Sequence, residues 1–180
     1  MSRIDLVTID NASAAAQPVL AQIHAAFGAT PNMFRAVANS PAALASMWGA
    51  FGALGSGTLD AKLGEQIAVA IADQNDCQYC LAAHTALGRK AGASSEEMAA
   101  AQAAQSHDPK TAAALHFAVT VVHQRAKITA ADVGALRTAG FADGEIMEIM
   151  AHVALNLFTN YVNVAFDVPL DFPQVKLRAK

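Results

Sequence analysis

Alanine constrains this chain more than any other residue. It occupies 43 of the 180 positions, while Phe, Trp and Tyr together make up only 6%. Alanine is the best helix former and is depleted from strands, so the sequence predicts an all-α fold whose helices approach closely across small side chains. Hydrophobic residues reach 54% against 15% charged, a balance that excludes a disordered chain. At this length one domain, residues 1–180, can bury about 70% of its unfolded surface without staples. The formal charge of −3 argues against nucleic-acid binding, which normally wants a basic face.

Proline, glycine and capping residues divide the chain into about eight helices. An extended start (Ile4, Leu6, Ile9) leads to a helix from Ala14 to Phe27, stopped by Gly28-Ala29-Thr30-Pro31. Phe34 to Ala38 reads as a short helical piece, and Ser40-Pro41 opens a longer helix ending at Gly55-Ser56-Gly57. Helices follow over Asp60–Gln74 and Asp76–Ala91, the second closed by Gly92. Ser94-Ser95-Glu96-Glu97 starts another, with acids in its first turn. Asp108 caps a helix through Arg125, Thr129 one to Thr138, and Asp143 the last long one. The tail from Val168 to Pro173 is too proline-rich to be helical. No strand alternation, linker or exact repeat appears.

The opening Met1-Ser2-Arg3-Ile4-Asp5 puts an acid where a secretory apolar core would begin, so no signal peptide is read. The run from Ile146 to Phe166 has membrane-spanning length, but Glu148, His152, Asn156, Thr159, Asn160 and Asn163 make it a helix buried in protein. The expectation is a cytoplasmic protein with no membrane or nucleic-acid partner. The basic tail of Lys176, Arg178 and Lys180 is too short to count as a binding patch.

The chemistry concentrates in Cys77-Gln78-Tyr79-Cys80-Leu81-Ala82-Ala83-His84. At ~100° per residue, Cys77, Cys80 and His84 fall within ~60° of one another, on the face of Leu81, Gly88 and Ala91. Asn75 and Asp76 read as caps, placing Cys77 at about the first helical residue, where the helix terminus favours thiolate. Cys80 and His84 stand at i,i+4, within reach of proton transfer. Two sulfurs three residues apart can also close a disulfide, so one thiol can attack and the other resolve. In the preceding helix Leu63, Ile67, Ala70 and Ile71 form the apolar stripe, and Lys62, Gln66 and Asp73 a polar one. Glu65 lies beyond the polar stripe, over Ala68, Val69 and Ala72, where a carboxylate suits a base working near neutrality. The polar seam Glu148, His152, Asn156 and Asn160 on the last helix reads as satisfying helix ends and neighbouring carbonyls.

Glu65, eleven residues, then Cys-x-x-Cys-x-x-x-His resembles the signature of the alkylhydroperoxidase D-like branch of the carboxymuconolactone decarboxylase superfamily. Thr30-Pro31-Asn32-Met33-Phe34-Arg35, Ala154 to Tyr161, and Asp171-Phe172-Pro173 resemble its peroxidase-related members. The resemblance spans nearly the whole chain, with the redox motif in about 41–125. It implies an all-helical, oligomerising fold (trimers or hexamers) and cofactor-free, thiol-dependent reduction of hydroperoxides, an antioxidant enzyme. In that resemblance Cys80 is the attacking thiol that passes through sulfenic acid. Cys77 is the proton donor and resolving thiol, and His84 and Glu65 form the relay that deprotonates Cys80. The disulfide reductant would be a lipoyl or thioredoxin-like protein. Where the best-known member has a second relay histidine, this chain has Tyr79, which on an ideal helix points away from the cysteines. Three other readings stand beside this one. They are inert core cysteines, a zinc-stabilised non-catalytic oligomer holding metal through Cys77, Cys80, His84 and Glu65, and a lactone decarboxylase of the parent superfamily.

Overall fold

Side-chain oxygen caps begin five of the helices. Ser40, Asp60, Ser94, Asp108 and Thr129 each accept a backbone N–H one turn or less ahead. The computed structural model describes residues 2–179; Met1 and Lys180, used in the readings of the two termini, lie outside the described residues. Among the described residues there are nine helices and no strand. They are α1 (Gln17–Phe27), α2 (Asn32–Val37), α3 (Pro41–Gly55), α4 (Ala61–Gln74), α5 (Gln78–Lys90), α6 (Ser95–Gln102), α7 (Pro109–His123), α8 (Ala130–Thr138) and α9 (Asp143–Ala165).

Three boundaries move for local reasons. α1 begins at Gln17 rather than Ala14, because a turn closed on Ser13 precedes it and Pro18 presets its first turn. α7 stops at His123, since Arg125 and Ala126 take left-handed φ values of 51° and 61°. α5 starts at Gln78 rather than Asp76, because Asp76 is left-handed with φ 54°.

α4 is the central helix, packed against α5, α6, α7 and α9. Val69 and Ala72 face the core built with α1, α2, α3 and α5. Leu63, Ile67, Ala70 and Ile71 face the second core, built with α7, α8 and α9. Ile67 and Ile71 are fully buried, each contributing about 1.5–3 kcal/mol of apolar burial. The polar stripe of α4 is covered as well: Gln66 and Asp73 are 2% and 1% exposed. Among the described residues no helix is long and apolar enough to cross a membrane, and Asn156, Thr159, Asn160 and Asn163 of α9 are buried in protein.

The non-helical tail straps this core. Asp73 accepts from Gln102 Nε2 at 2.8 Å and from the Arg178 backbone and guanidinium at 3.1 and 2.8 Å. Burial alone would push this carboxyl up, but those donors hold it below the usual carboxylate range. A carboxylate depressed on folding stabilises above its unfolded value, and that contribution is lost as pH falls through the folded one. Asp73→Ala is therefore expected to cost about 1–3 kcal/mol in thermal unfolding at neutral pH, the difference shrinking in strong acid.

Candidate active site

The left-handed turn at Asp76 makes Cys77 itself the cap of α5, its Sγ accepting the Cys80 N–H at 3.3 Å. The expectation of Cys77 as the first helical residue is corrected by one position. Both cysteines are free thiols, at 0% and 1% exposure. From α9, Asn163 Nδ2 donates to Cys80 Sγ at 3.1 Å.

This environment separates the two thiols. Burial opposes ionisation of Cys80, but the Cys77 thiol, the charge on His84 and the Asn163 amide outweigh it and bring Cys80 down to about 7. Cys77 moves the other way, pushed up by its hydrogen bond to Cys80 and by burial. At neutral pH the pair therefore holds one readily ionised sulfur and one that keeps its proton.

Glu65 and His84 meet across the α4–α5 contact, with Oε2 2.7 Å from Nδ1. Small residues make this possible. A Cβ at Gly88 would stand 2.5 Å from Met98 Cε and 3.3 Å from Glu65 Cβ, so glycine at that position lets the carboxylate-bearing helix approach. Burial alone would lower the His84 imidazole. The Glu65 carboxylate, by charge and hydrogen bond, and the Cys80 sulfur raise it instead. The four residues singled out in the sequence thus lie together on α4 and α5.

Two cavities flank His84. One, with about 30 Å³ for the centres of water-sized molecules, is apolar: Phe27, Phe34, Phe51, Leu87 and Phe172 surround it, with Cys80 and His84 in its wall. The other, about 230 Å³, is lined by Glu65, His84 and His152 among others. A third, of about 570 Å³, lies among Lys62, Glu97, Lys110 and Glu145, away from both thiols.

Tyr79 corrects a helical-wheel expectation. Its side chain is buried, lines the same apolar cavity as Cys80, and stands edge-on to Phe172 at 5.7 Å. Its Oη accepts the Met33 N–H at 3.2 Å. Burial and the neighbouring Asp171 hold the phenol well above its ordinary value, so it is no base near neutrality.

Sequence reasoning missed Asn163, Tyr79 and His152. Asn163 falls three residues past Asn160, so the four-residue seam on α9 ended one step early. Within that seam, Glu148 does satisfy backbone groups, accepting from the Thr58 and Leu59 amides just ahead of α4. Asn160 accepts from Asn75 Nδ2 at 2.9 Å, whereas His152 opens into the Glu65 cavity. For the zinc reading, no group of three or more His, Cys, Asp or Glu side chains among the described residues is arranged to hold a metal ion. His84 engages Glu65 instead, and Cys77 engages Cys80.

Residues 38–119 match the carboxymuconolactone decarboxylase family. No curated protein matches the sequence. Among solved structures, the alkylhydroperoxidase core of an uncharacterised peroxidase-related protein from Ralstonia eutropha JMP134 is 24% identical. The match covers 94% of this chain and 92% of that one, with a TM-score of 0.86. An uncharacterised peroxidase-related protein from Silicibacter sp. TM1040 is 25% identical over 93% and 91% of the two chains, with a TM-score of 0.81. The debrominase Bmp8 is 21% identical over 88% and 87%, with a TM-score of 0.75. These identities make the likeness one of fold. The chain therefore matches the carboxymuconolactone decarboxylase family over residues 38–119 and has the fold of alkylhydroperoxidase D-like, peroxidase-related proteins.

Proposed function

We propose that the protein is a thiol-dependent hydroperoxide reductase in which Cys80 attacks and Cys77 resolves. The observation that carries this reading is the division of labour between the sulfurs: Cys80 is brought down to about 7 while Cys77 is held protonated beside it. The apolar, aromatic wall next to Cys80 favours an organic hydroperoxide over hydrogen peroxide.

The reaction balances with these groups alone. The Cys80 thiolate attacks the terminal peroxide oxygen, an S–O bond forms, the O–O bond breaks, and the alkoxide takes the Cys77 proton to leave as alcohol. The Cys77 thiolate then attacks the sulfenic sulfur. A disulfide closes, and the departing hydroxide takes a proton from the His84 imidazolium to leave as water. Two electrons pass from the thiols to the peroxide, and an external dithiol, on a lipoyl or thioredoxin-like protein, returns them. Glu65 holds His84 in its charged form through the first step. A lactone decarboxylase would leave the paired thiols without a role.

The test is stoichiometric. One equivalent of cumene hydroperoxide should consume two thiols per chain and yield one equivalent of alcohol, with dithiol reductant restoring both thiols. Unchanged thiols after hydroperoxide treatment would end this reading.

The reading includes self-association along α9. Met147, Ala151, Ala154, Phe158, Tyr161 and Ala165 are exposed on one face at alternating four- and three-residue steps, the spacing of a helix-pairing seam. Met147, Phe158 and Tyr161 are 68%, 38% and 60% exposed, a patch that marks an interface. The partner is a second copy of this chain. Ala154→Glu combined with Phe158→Glu should reduce the mass in light scattering to that of the monomer; a monomeric wild type would remove the proposal.

A further inference from the structure

Cys80 is 1% exposed, and the cavity beside it is apolar, so the thiol's proton has no aqueous exit on that side. On the other side of the Glu65–His84 pair lies the cavity of about 230 Å³, and the half-buried imidazole of His152 forms part of its wall. We propose that His152 is the outer proton carrier of the relay, exchanging the proton of Cys80 with solvent through Glu65 and this second cavity. The proposal deepens the hydroperoxide-reductase reading and rests on it.

Three observations carry it. First, Glu65, His84 and His152, from α4, α5 and α9, converge on one cavity, whereas Cys80 does not line it. Second, α4 carries glycine where the imidazole sits: a Cβ at Gly64 would stand 3.1 Å from His152 Cε1, so alanine would crowd the ring. Third, the facing charges alternate in sign. Glu65 from α4 and Glu148 from α9 favour protonation of His152, and His84 from α5 opposes it; Asp60, at the start of α4, also lines the cavity. Burial is the larger influence and holds the imidazole below its ordinary value, so near neutrality it stands ready to accept a proton.

The path balances without any further reactant. The His84 imidazolium gives its Nδ1 proton to Glu65 Oε2 and is recharged by the proton of Cys80, so it stays cationic beside the thiolate. Glu65 passes it to the free nitrogen of His152, which gives it to water in the cavity. No bond other than N–H, O–H and S–H changes. His152 touches no substrate and acts through Glu65, which makes it a positioning residue of the relay.

The experiment uses full-length protein and two readouts: alkylation of Cys80 by iodoacetamide, which needs no peroxide, and cumene hydroperoxide turnover. His152→Ala should slow both about tenfold near neutral pH, and imidazole added in solution should restore most of the loss by entering the enlarged cavity. His152→Gln should be slowed similarly but not be rescued, because the cavity stays filled. Imidazole should leave the wild type unchanged. Circular dichroism checks that each variant is folded, and His152→Gln carries the test if His152→Ala is not. Wild-type rates in both variants would overturn the proposal, as would a loss in His152→Ala that imidazole cannot restore. Should the wild type fail to turn over hydroperoxide while alkylation still shows loss and rescue, the reductase reading falls and the proton path stands.

Discussion

Serine in place of Cys80 is expected to reduce hydroperoxide turnover about a thousandfold or more, to the level of the free peroxide and reductant. A neutral hydroxyl cannot supply the nucleophile that this sulfur provides, and the remaining groups act only through it. The companion substitution separates the two thiols. Cys77→Ser keeps the Cys80 sulfur and should complete one turnover, then stop at the sulfenic acid, which dimedone would trap and mass spectrometry would detect. The opposite assignment, with Cys77 attacking, would leave the sulfenic acid on residue 77 in the Cys80→Ser protein. Neither variant alters a hydrophobic core contact larger than one sulfur, so thermal unfolding should stay near wild type and exclude misfolding as the cause.

Glu65→Gln should have the next largest effect, about a hundredfold in turnover, within the ordinary range for loss of a proton-transfer group. Its pH dependence carries more information than its size. In the wild type Cys80 ionises at about 7, so the rate should rise with pH through that value and then level off. The imidazolium of His84 helps to hold Cys80 down, and the Glu65 carboxylate helps to hold His84 up. Without the carboxylate His84 loses its proton at lower pH, Cys80 loses its neighbouring cation, and its thiol becomes harder to ionise. The rising limb must therefore move to higher pH. A hundredfold loss with an unmoved limb would mean that Glu65 only braces the α4–α5 contact.

The fold was legible because its signals are local. Ser40-Pro41, Asp108-Pro109 and Thr129 mark helix starts through bonds to amides a few residues ahead. Two of the three misplaced boundaries arose where the backbone turns left-handed, at Asp76 and at Arg125 and Ala126. Arginine and alanine rarely adopt that conformation, so their identity gave no sign of it. The proximity of Glu65 to His84 was inferable from two helices adjacent in sequence and a shared face of small residues.

The rest of the site depends on long-range packing. Asn163 reaches Cys80 across 83 residues and Met33 reaches Tyr79 across 46, and no helical wheel relates them. Tyr79 was expected to face away from the thiols because a wheel gives directions about a helix axis, not what neighbouring segments do. Phe172 from the C-terminal strap folds over that side of α5 and encloses the phenol and Cys80 in one cavity. By itself the sequence determined the all-helical architecture, the nearness of the two cysteines and the register of His84 to them, since all follow from helical period and capping. Only the tertiary structure decided which thiol ionises, because desolvation, the Asn163 donor and the Glu65–His84 charge are set by what packs against α5.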